Sequence, residues 1–396
     1  MSFPEPEILT SLVQRIFRIE DVTLGDPQKG WIVRYRGLLL SDDSAAVYDQ
    51  LADSVRAYGL TPLFRKEGER HLIFLAPSMP EVKKRPPTTN IILFLLTVIS
   101  VMLTGAEPAR PYPQDFLGQV MVALETLFSR QLFTGWPFAA SLLGILLAHE
   151  FGHYLMSRHH RTAATLPYFI PLPLSILGTL GAFIQMQAIP KNKRILFDIG
   201  VAGPLAGIVV AVPVLFYGLS ISTLGPVTGG LLEGNSLFYL FSKFIVFGKL
   251  LPEPATTNGL PLILHWIRYF FTGTPWPIGG MDVLVSNVAL AGWAGLLVTG
   301  LNLIPVGTLD GGHVTYALFG EKIRKAYPFV IGILAVMGFV AQTWWLWAVL
   351  LLWLGRVHAE PLDQITELDQ RRRALGWFAI LLFILVFSPV PMVLLG

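Results

Sequence analysis

The stretch from about Trp136 to Met156 constrains the fold more than any other. It is apolar over a length that crosses a bilayer as one helix, which takes about 20 residues. Its second half nevertheless reads Ala148-His149-Glu150-Phe151-Gly152-His153. Ionisable side chains in such a helix are costly and mark a site. On a helix His149 and His153 lie one turn apart on one face. Two neutral imidazoles suit Zn²⁺, which in catalytic sites takes three protein ligands and keeps a fourth position for water. Glu150 reaches that water without ligating the metal. Zinc lowers the pKa of water to about 7, and a carboxylate then takes its proton during attack on a carbonyl. The competing reading, a helix with two unrelated His and an interfacial Glu, fits poorly with the apolar run of residues 138–147 just before the motif.

Composition extends this to the whole chain. Of 396 residues, 53% are hydrophobic and 14% charged, which indicates a polytopic α-helical membrane protein rather than a soluble enzyme. There is no Cys, so disulfides and thiolate zinc sites are excluded and any zinc rests on His and carboxylates. The net charge of +3 gives no case for nucleic acid, because the basic residues cluster beside apolar segments. Residues 1–7 are acidic rather than apolar and read as neither a signal nor a transit peptide.

Residues 1–88 read as a small soluble α+β domain with a basic, Pro-rich linker at its end. Strands are expected at Trp31–Arg36, Leu63–Arg65 and His71–Leu75, with His71 as a strand residue. A helix is expected from Ser41 to Tyr58, capped by Ser41 or Asp42, with Val47, Leu51 and Val55 on one face. Lys83, Lys84 and Arg85 precede the first apolar run and place this domain in the cytoplasm by the positive-inside rule. Residues 89–135 hold a first span, Asn90 to Ala106, and an interfacial segment around Glu125.

Residues 136–320 form the expected membrane core. The motif span ends at Arg158-His159-His160-Arg161, where both His read as interfacial. Residues 166–190 are interrupted by Pro167, Pro171, Pro173 and Pro190 and flanked by basic residues on both sides, as in a re-entrant loop or hairpin. Within it Gly181, Phe183 and Gln185 form an extended edge that either pairs with a substrate strand or only packs the fold. The span from Phe197 to Leu219 carries a Gly203–Gly207 small-residue pair for close helix contact, with Asp198 at its interfacial end. Residues 221–281 are poorly informative: Leu237–Leu251, with Lys243 and Lys249, reads as a helix lying at the surface, and His265 has no partner at ligand spacing. The span from Val283 to Pro305 ends in Asn302-Leu303-Ile304-Pro305-Val306-Gly307-Thr308-Leu309-Asp310-Gly311-Gly312-His313. Pro305 and Gly307 break it, which turns Asn302 and Asp310 inward, and an Asp completes a His₂-carboxylate set. Residues 321–396 hold C-terminal spans: a two-helix hairpin over 327–355 and a last span over 375–395. The total is about six or seven spans.

Taken together, His149-Glu150-Phe151-Gly152-His153 and the later Asn302-Leu303-Ile304-Pro305 through Leu309-Asp310-Gly311-Gly312 resemble the site-2 protease family of intramembrane zinc metalloproteases. Gly178–Ala182 and Gly203–Gly207 resemble family segments too, so the likeness covers about residues 136–320. It implies one Zn²⁺ per chain on His149, His153 and Asp310, with Glu150 as general base and Asn302 positioning substrate or the developing oxyanion. It implies a transmembrane protein as substrate, cut within the lipid bilayer near the cytosolic side, in regulated intramembrane proteolysis. No PDZ-like insertion is present between the spans. The N-terminal domain and the Asn-x-x-Pro-x-Gly-x-x-Asp spelling are closer to the plastid and cyanobacterial branch. His313 reads as either a residue behind the ligands or a structural one. The expected location is a bacterial inner membrane, with the N-terminal domain and site toward the cytoplasm; the oligomeric state is not legible. Two other readings are a prenyl-processing type of membrane zinc protease, whose third ligand is expected to be a Glu, and an inactive scaffold or transporter, whose ionisable residues would line a path.

Overall fold

The chain begins with an apolar-faced helix that sequence reasoning passed over as an acidic tail. In the computed structural model, which describes residues 4–25, 30–78, 86–113, 115–173, 175–257, 259–355 and 360–395, this is α1 (Pro6–Gln14), with Leu9 and Val13 fully buried. It packs on a four-stranded antiparallel sheet of β1 (Phe17–Leu24), β2 (Val33–Leu39), β3 (Leu60–Glu67) and β4 (Arg70–Pro77), in the order β1-β2-β4-β3. The helix α2 (Ser44–Arg56) joins them, and its cap is Asp43, whose side chain accepts from the Ala46 N–H, rather than Ser41 or Asp42. Val47, Leu51 and Val55 face the sheet with Phe64 and Ile73 in one apolar core. The linker residues Lys83, Lys84 and Arg85, and Arg356, lie outside the described residues.

The exposed edge of β3 is closed by a distant segment. The Phe64 N–H donates to the Leu362 carbonyl at 2.9 Å, and the Gln364 N–H returns the bond to Phe64 at 3.1 Å. The other side of the same short segment bonds Pro190 and Lys191 through the Leu362 and Asp363 amides, at 3.0 and 2.8 Å. Asp363 is fully buried; its carboxylate accepts from the Ile365 and Thr366 amides and the Thr366 hydroxyl, and burial pushes its carboxyl up from the usual range. Residues 361–366 thus strap the N-terminal sheet to the segment that opens the next long helix.

Three helices among the described residues have the length and apolarity to cross a membrane: α3 (Thr88–Gly105), α5 (Trp136–His159, with the 3₁₀ turn before it) and α6 (Lys193–Ser220). The remaining apolar helices are shorter: α4 (Phe116–Leu127), α7 (Leu237–Phe247), α9 (Asn287–Asn302), α12 (Thr343–Leu354) and α13 (Gln370–Val386). The expected span over 283–305 is therefore a 16-residue helix, and the expected hairpin over 327–355 is a pair of 12-residue helices, α11 (Tyr327–Gly338) and α12. α5, α6 and α9 form the centre, sharing one apolar core that includes Leu142, Leu146, Ala211, Leu215, Trp293 and Leu296. α6 spans 28 residues despite Pro204 and Pro213.

Residues 166–190 fold back as a hairpin of β5 (Tyr168–Pro171) and β6 (Thr179–Phe183) lodged against α3, where Ser100 donates to the Gly178 carbonyl. Gln185 lies beyond β6 and pairs with Thr165, so the expected extended edge is shorter than residues 181–187.

Residues 221–286 build a cap at the opposite end. β7 (Thr223–Pro226) pairs with β9 (Met281–Leu284), and β8 (Gly230–Glu233) with β10 (Met392–Leu395); α7 and α8 (Leu262–Thr272) lie between. α7 lies at the surface, with Phe241, Phe244 and Ile245 exposed, but Lys243 is on its inner face: the side chain is 0% exposed and its Nζ stands 3.2 Å from Asp282 Oδ1 and 4.7 Å above the Tyr239 ring. Tyr239 in turn donates to Glu233 at 2.8 Å. His265 is buried on α8 with its Nδ1 unpartnered among the described residues.

Candidate metal centre

The site forms because two breaks in regular structure meet one uninterrupted helix. α5 carries His149, Glu150 and His153 on consecutive turns, and all three are buried. α9 stops at Asn302; Pro305 cannot continue it, and Gly307 takes a φ of +57°, open to glycine at little cost. The chain then restarts at Asp310, the first residue of α10 (Asp310–Phe319). That reversal delivers the Asp310 carboxylate to the imidazoles.

His149 Nε2 lies 3.2 Å from Asp310 Oδ2, His153 Nε2 lies 3.3 Å from Asp310 Oδ1, and the two Nε2 atoms are 3.2 Å apart. The two imidazole nitrogens thus face the two oxygens of one carboxylate, and one ligand atom from each residue forms a small triangle whose corners lie within 4.8 Å of one another. Tetrahedral zinc with bonds of about 2.0–2.1 Å separates its ligands by roughly 3.3 Å, so the donor set fits such an ion. The chemistry agrees. His153 Nδ1 donates to the Ile199 carbonyl at 2.7 Å, which fixes the tautomer and leaves a lone pair on Nε2. No Lys or Arg pairs with the cluster among the described residues. Lone pairs and a carboxylate aimed at one another call for a cation between them.

Glu150 is buried beside the triangle, outside it. The Ile184 amide, just beyond β6, faces its carboxylate, and Oε2 has no partner among the described residues. Asn302 Nδ2 comes within 3.3 Å of His149 Nε2. The structure thus brings together His149, Glu150, His153, Asp310 and Asn302. Gly181 and Phe183 lie on β6, and Phe183 stacks on Tyr168; Gln185 lies just beyond the strand, bonded to Thr165. His313 is buried against α6 at Gly200. Asp198 receives both Arg372 nitrogens and His160 at 2.7–2.9 Å, a polar knot at the end of α6 well outside the triangle.

Sequence reasoning assigned Gly203 and Gly207 to helix packing. Their actual neighbours are the imidazoles: a Cβ on Gly203 would run into the His153 ring, and one on Gly207 would press His149 Nδ1 at 3.2 Å. The Ile199 carbonyl and Ile184 amide were also missed, since backbone groups leave no sequence signal.

Comparison with known proteins agrees with this geometry. "Probable zinc metalloprotease EGY1, chloroplastic" of Arabidopsis thaliana is 30% identical over 328 residues, 78% of this chain and 55% of that protein. "Probable zinc metalloprotease EGY2, chloroplastic" of Oryza sativa subsp. indica is 28% identical over 385 residues, 93% of this chain and 63% of that protein. The chain therefore spans between half and two thirds of the length of these relatives. No solved structure matches it. Residues 137–341, more than half of the chain, match Peptidase family M50, and they enclose both the helix of the His pair and the turn that supplies Asp310. The chain belongs to peptidase family M50, the site-2 protease family.

Proposed function

We propose that this chain is an intramembrane zinc metalloendopeptidase that hydrolyses peptide bonds in transmembrane segments of other membrane proteins. One observation carries the reading: two imidazole nitrogens 3.2 Å apart, each 3.2–3.3 Å from an oxygen of the Asp310 carboxylate, with a second carboxylate of incomplete hydrogen bonding beside them, buried in an apolar helical body. His149, His153 and Asp310 hold the ion. When bound, zinc supplies an acidified water and polarises the scissile carbonyl. With the ion bound, Glu150 would take a proton from the attacking water and pass it to the leaving amine; the Ile184 amide faces its carboxylate, and Oε2 has no partner among the described residues. Asn302, beside His149, donates its side-chain N–H toward the developing oxyanion.

A helical substrate must unwind before its carbonyl is accessible. Among the described residues β6 is paired on one edge only, by β5, and Ile184 just beyond it faces Glu150. An unwound segment adding to the other edge of β6, along Gly181 and Phe183, runs past the base. The shorter apolar helices complete six or seven membrane crossings, with the N-terminal domain on the cytoplasmic side of a bacterial inner membrane. The role is regulated intramembrane proteolysis.

The test pairs zinc stoichiometry with cleavage of single-span substrates by purified wild type and Glu150→Gln. Zinc in both with cleavage only by wild type is the expected result. Absence of zinc from a folded wild type would overturn the reading.

A further inference from the structure

A second built feature lies at the polar end of α5. A cavity of about 610 Å³ opens between the start of α3, the last turns of α5 and residues 161–166. Arg158 and Arg161 line it, and neither has a carboxylate partner among the described residues; no Asp or Glu lines the cavity. Neutral hydrogen-bonding side chains complete the wall: Tyr154, Thr165, Asn90 and Gln187. Asn90 spends its amide on the Leu166 and Pro167 carbonyls, which fixes the far rim.

Arg161 ends α5 in an unusual way. The Thr162 N–H bonds back to the Ser157 carbonyl at 2.8 Å, the closure that normally places glycine at the intervening position. Arg161 holds a φ of +54° there, the one non-glycine residue with positive φ among the described residues. A side chain kept where glycine is easier has a use for its charge. Directly beside the cavity, along the membrane-spanning faces, Ile91, Ile92 and Leu95 of α3 and Leu155 of α5 are exposed and present apolar surface to lipid tails.

We infer that this cavity is a binding site for the phosphate headgroup of an anionic phospholipid, held by Arg158 and Arg161, with its acyl chains lying on α3 and α5. Guanidinium pairs suit phosphate geometry, and basic pockets between spans at the polar boundary take such headgroups. The inference is independent of the proteolytic reading. It needs the chain in a bilayer and makes no use of the metal centre.

The test is thermal unfolding of the full chain in detergent, titrated with short-chain phosphatidylglycerol, phosphatidylcholine or inorganic phosphate. Phosphatidylglycerol alone is expected to give a saturable rise in melting temperature. Arg158→Gln with Arg161→Gln should weaken that response about thirtyfold, about fivefold for each charge, with zinc content unchanged. Arg161→Gly guards against misfolding: it relieves the strained φ, so the lipid-free protein should melt no lower while the lipid response still weakens. An equal response to inorganic phosphate would show a free-anion site and overturn the lipid assignment. An unchanged titration in the double variant would overturn the site itself, as would binding of an acidic peptide without any response to phosphatidylglycerol.

Discussion

Two of the buried groups of ionisable side chains among the described residues are built on opposite principles. The cap cluster is complete: Lys243 meets Asp282, Tyr239 meets Glu233, and the ammonium rests on the Tyr239 ring. The cluster where α5 meets the start of α10 has no Lys or Arg partner among the described residues. It gathers two imidazole nitrogens and a carboxylate within 3.2–3.3 Å and leaves Glu150 Oε2 unpartnered. Burial penalises charge in both places. A cluster that brings its own counter-charge has reached a resting arrangement. One that concentrates acceptors is waiting for something to arrive, which is why only the second reads as a reactive centre.

The sharpest way to break this contrast is Glu150→Gln. The loss of a general base should lower peptide hydrolysis by about 10²–10⁴-fold, with zinc and melting temperature retained; a cleavage assay beside metal analysis reads it. Equal activity would place Glu150 with the structural cluster. The converse variant is Lys243→Met. It strands Asp282 and Glu233 without their cation and should destabilise the fold by about 3–5 kcal/mol, seen in chemical unfolding, and adding Asp282→Asn should restore part of the loss. A smaller effect is expected for Gly203→Ala, whose methyl displaces the His153 ring. Zinc affinity should fall by about 10–100-fold, measured by competition with a chelator.

The mildest prediction lies far from both clusters. His71 Nδ1 accepts from the Leu39 N–H at 3.4 Å, and burial, with Lys66 nearby, holds its pKa below the ordinary 6.5. A depressed pKa contributes stability above pH 6.5 that is lost as pH falls through the folded value. The protection of the Leu39 amide against hydrogen exchange, relative to its intrinsic rate at each pH, should therefore fall on acidification below pH 6.5, and His71→Gln should remove that dependence.

The contrast also explains what could be read from the chain. His149, Glu150 and His153 are legible because one helix turn supplies three parts of the centre. Asp310 is legible because Pro305 and Gly307 announce a break at that depth. The cap network joins residues 233, 239, 243 and 282 through loops without periodicity, so Lys243 looked like a surface lysine. β1 was missed for a related reason: its alternation, Phe17-Arg18-Ile19-Glu20, changes phase at Asp21, where the ladder with β2 bulges, so no single period runs through the strand. Gly203 and Gly207 looked like helix-packing residues because a glycine that clears space for an imidazole and one that clears space for a backbone are written alike.

The strap at residues 361–366 has a consequence in time rather than in space. The edge of β3 is laid down within the first 67 residues, yet the chain that covers it is made some 300 residues later, after nearly every helix of the body. During synthesis the N-terminal sheet waits with an open edge, the kind of surface on which other chains pair. Only a nascent chain that has reached residue 366 can close it and, with the same few hydrogen bonds, tie the sheet to the threshold of α6. The strap is in effect a signature of completion. A product truncated after α12 keeps its metal-ligand residues but presents an uncovered strand edge, open to pairing with other chains.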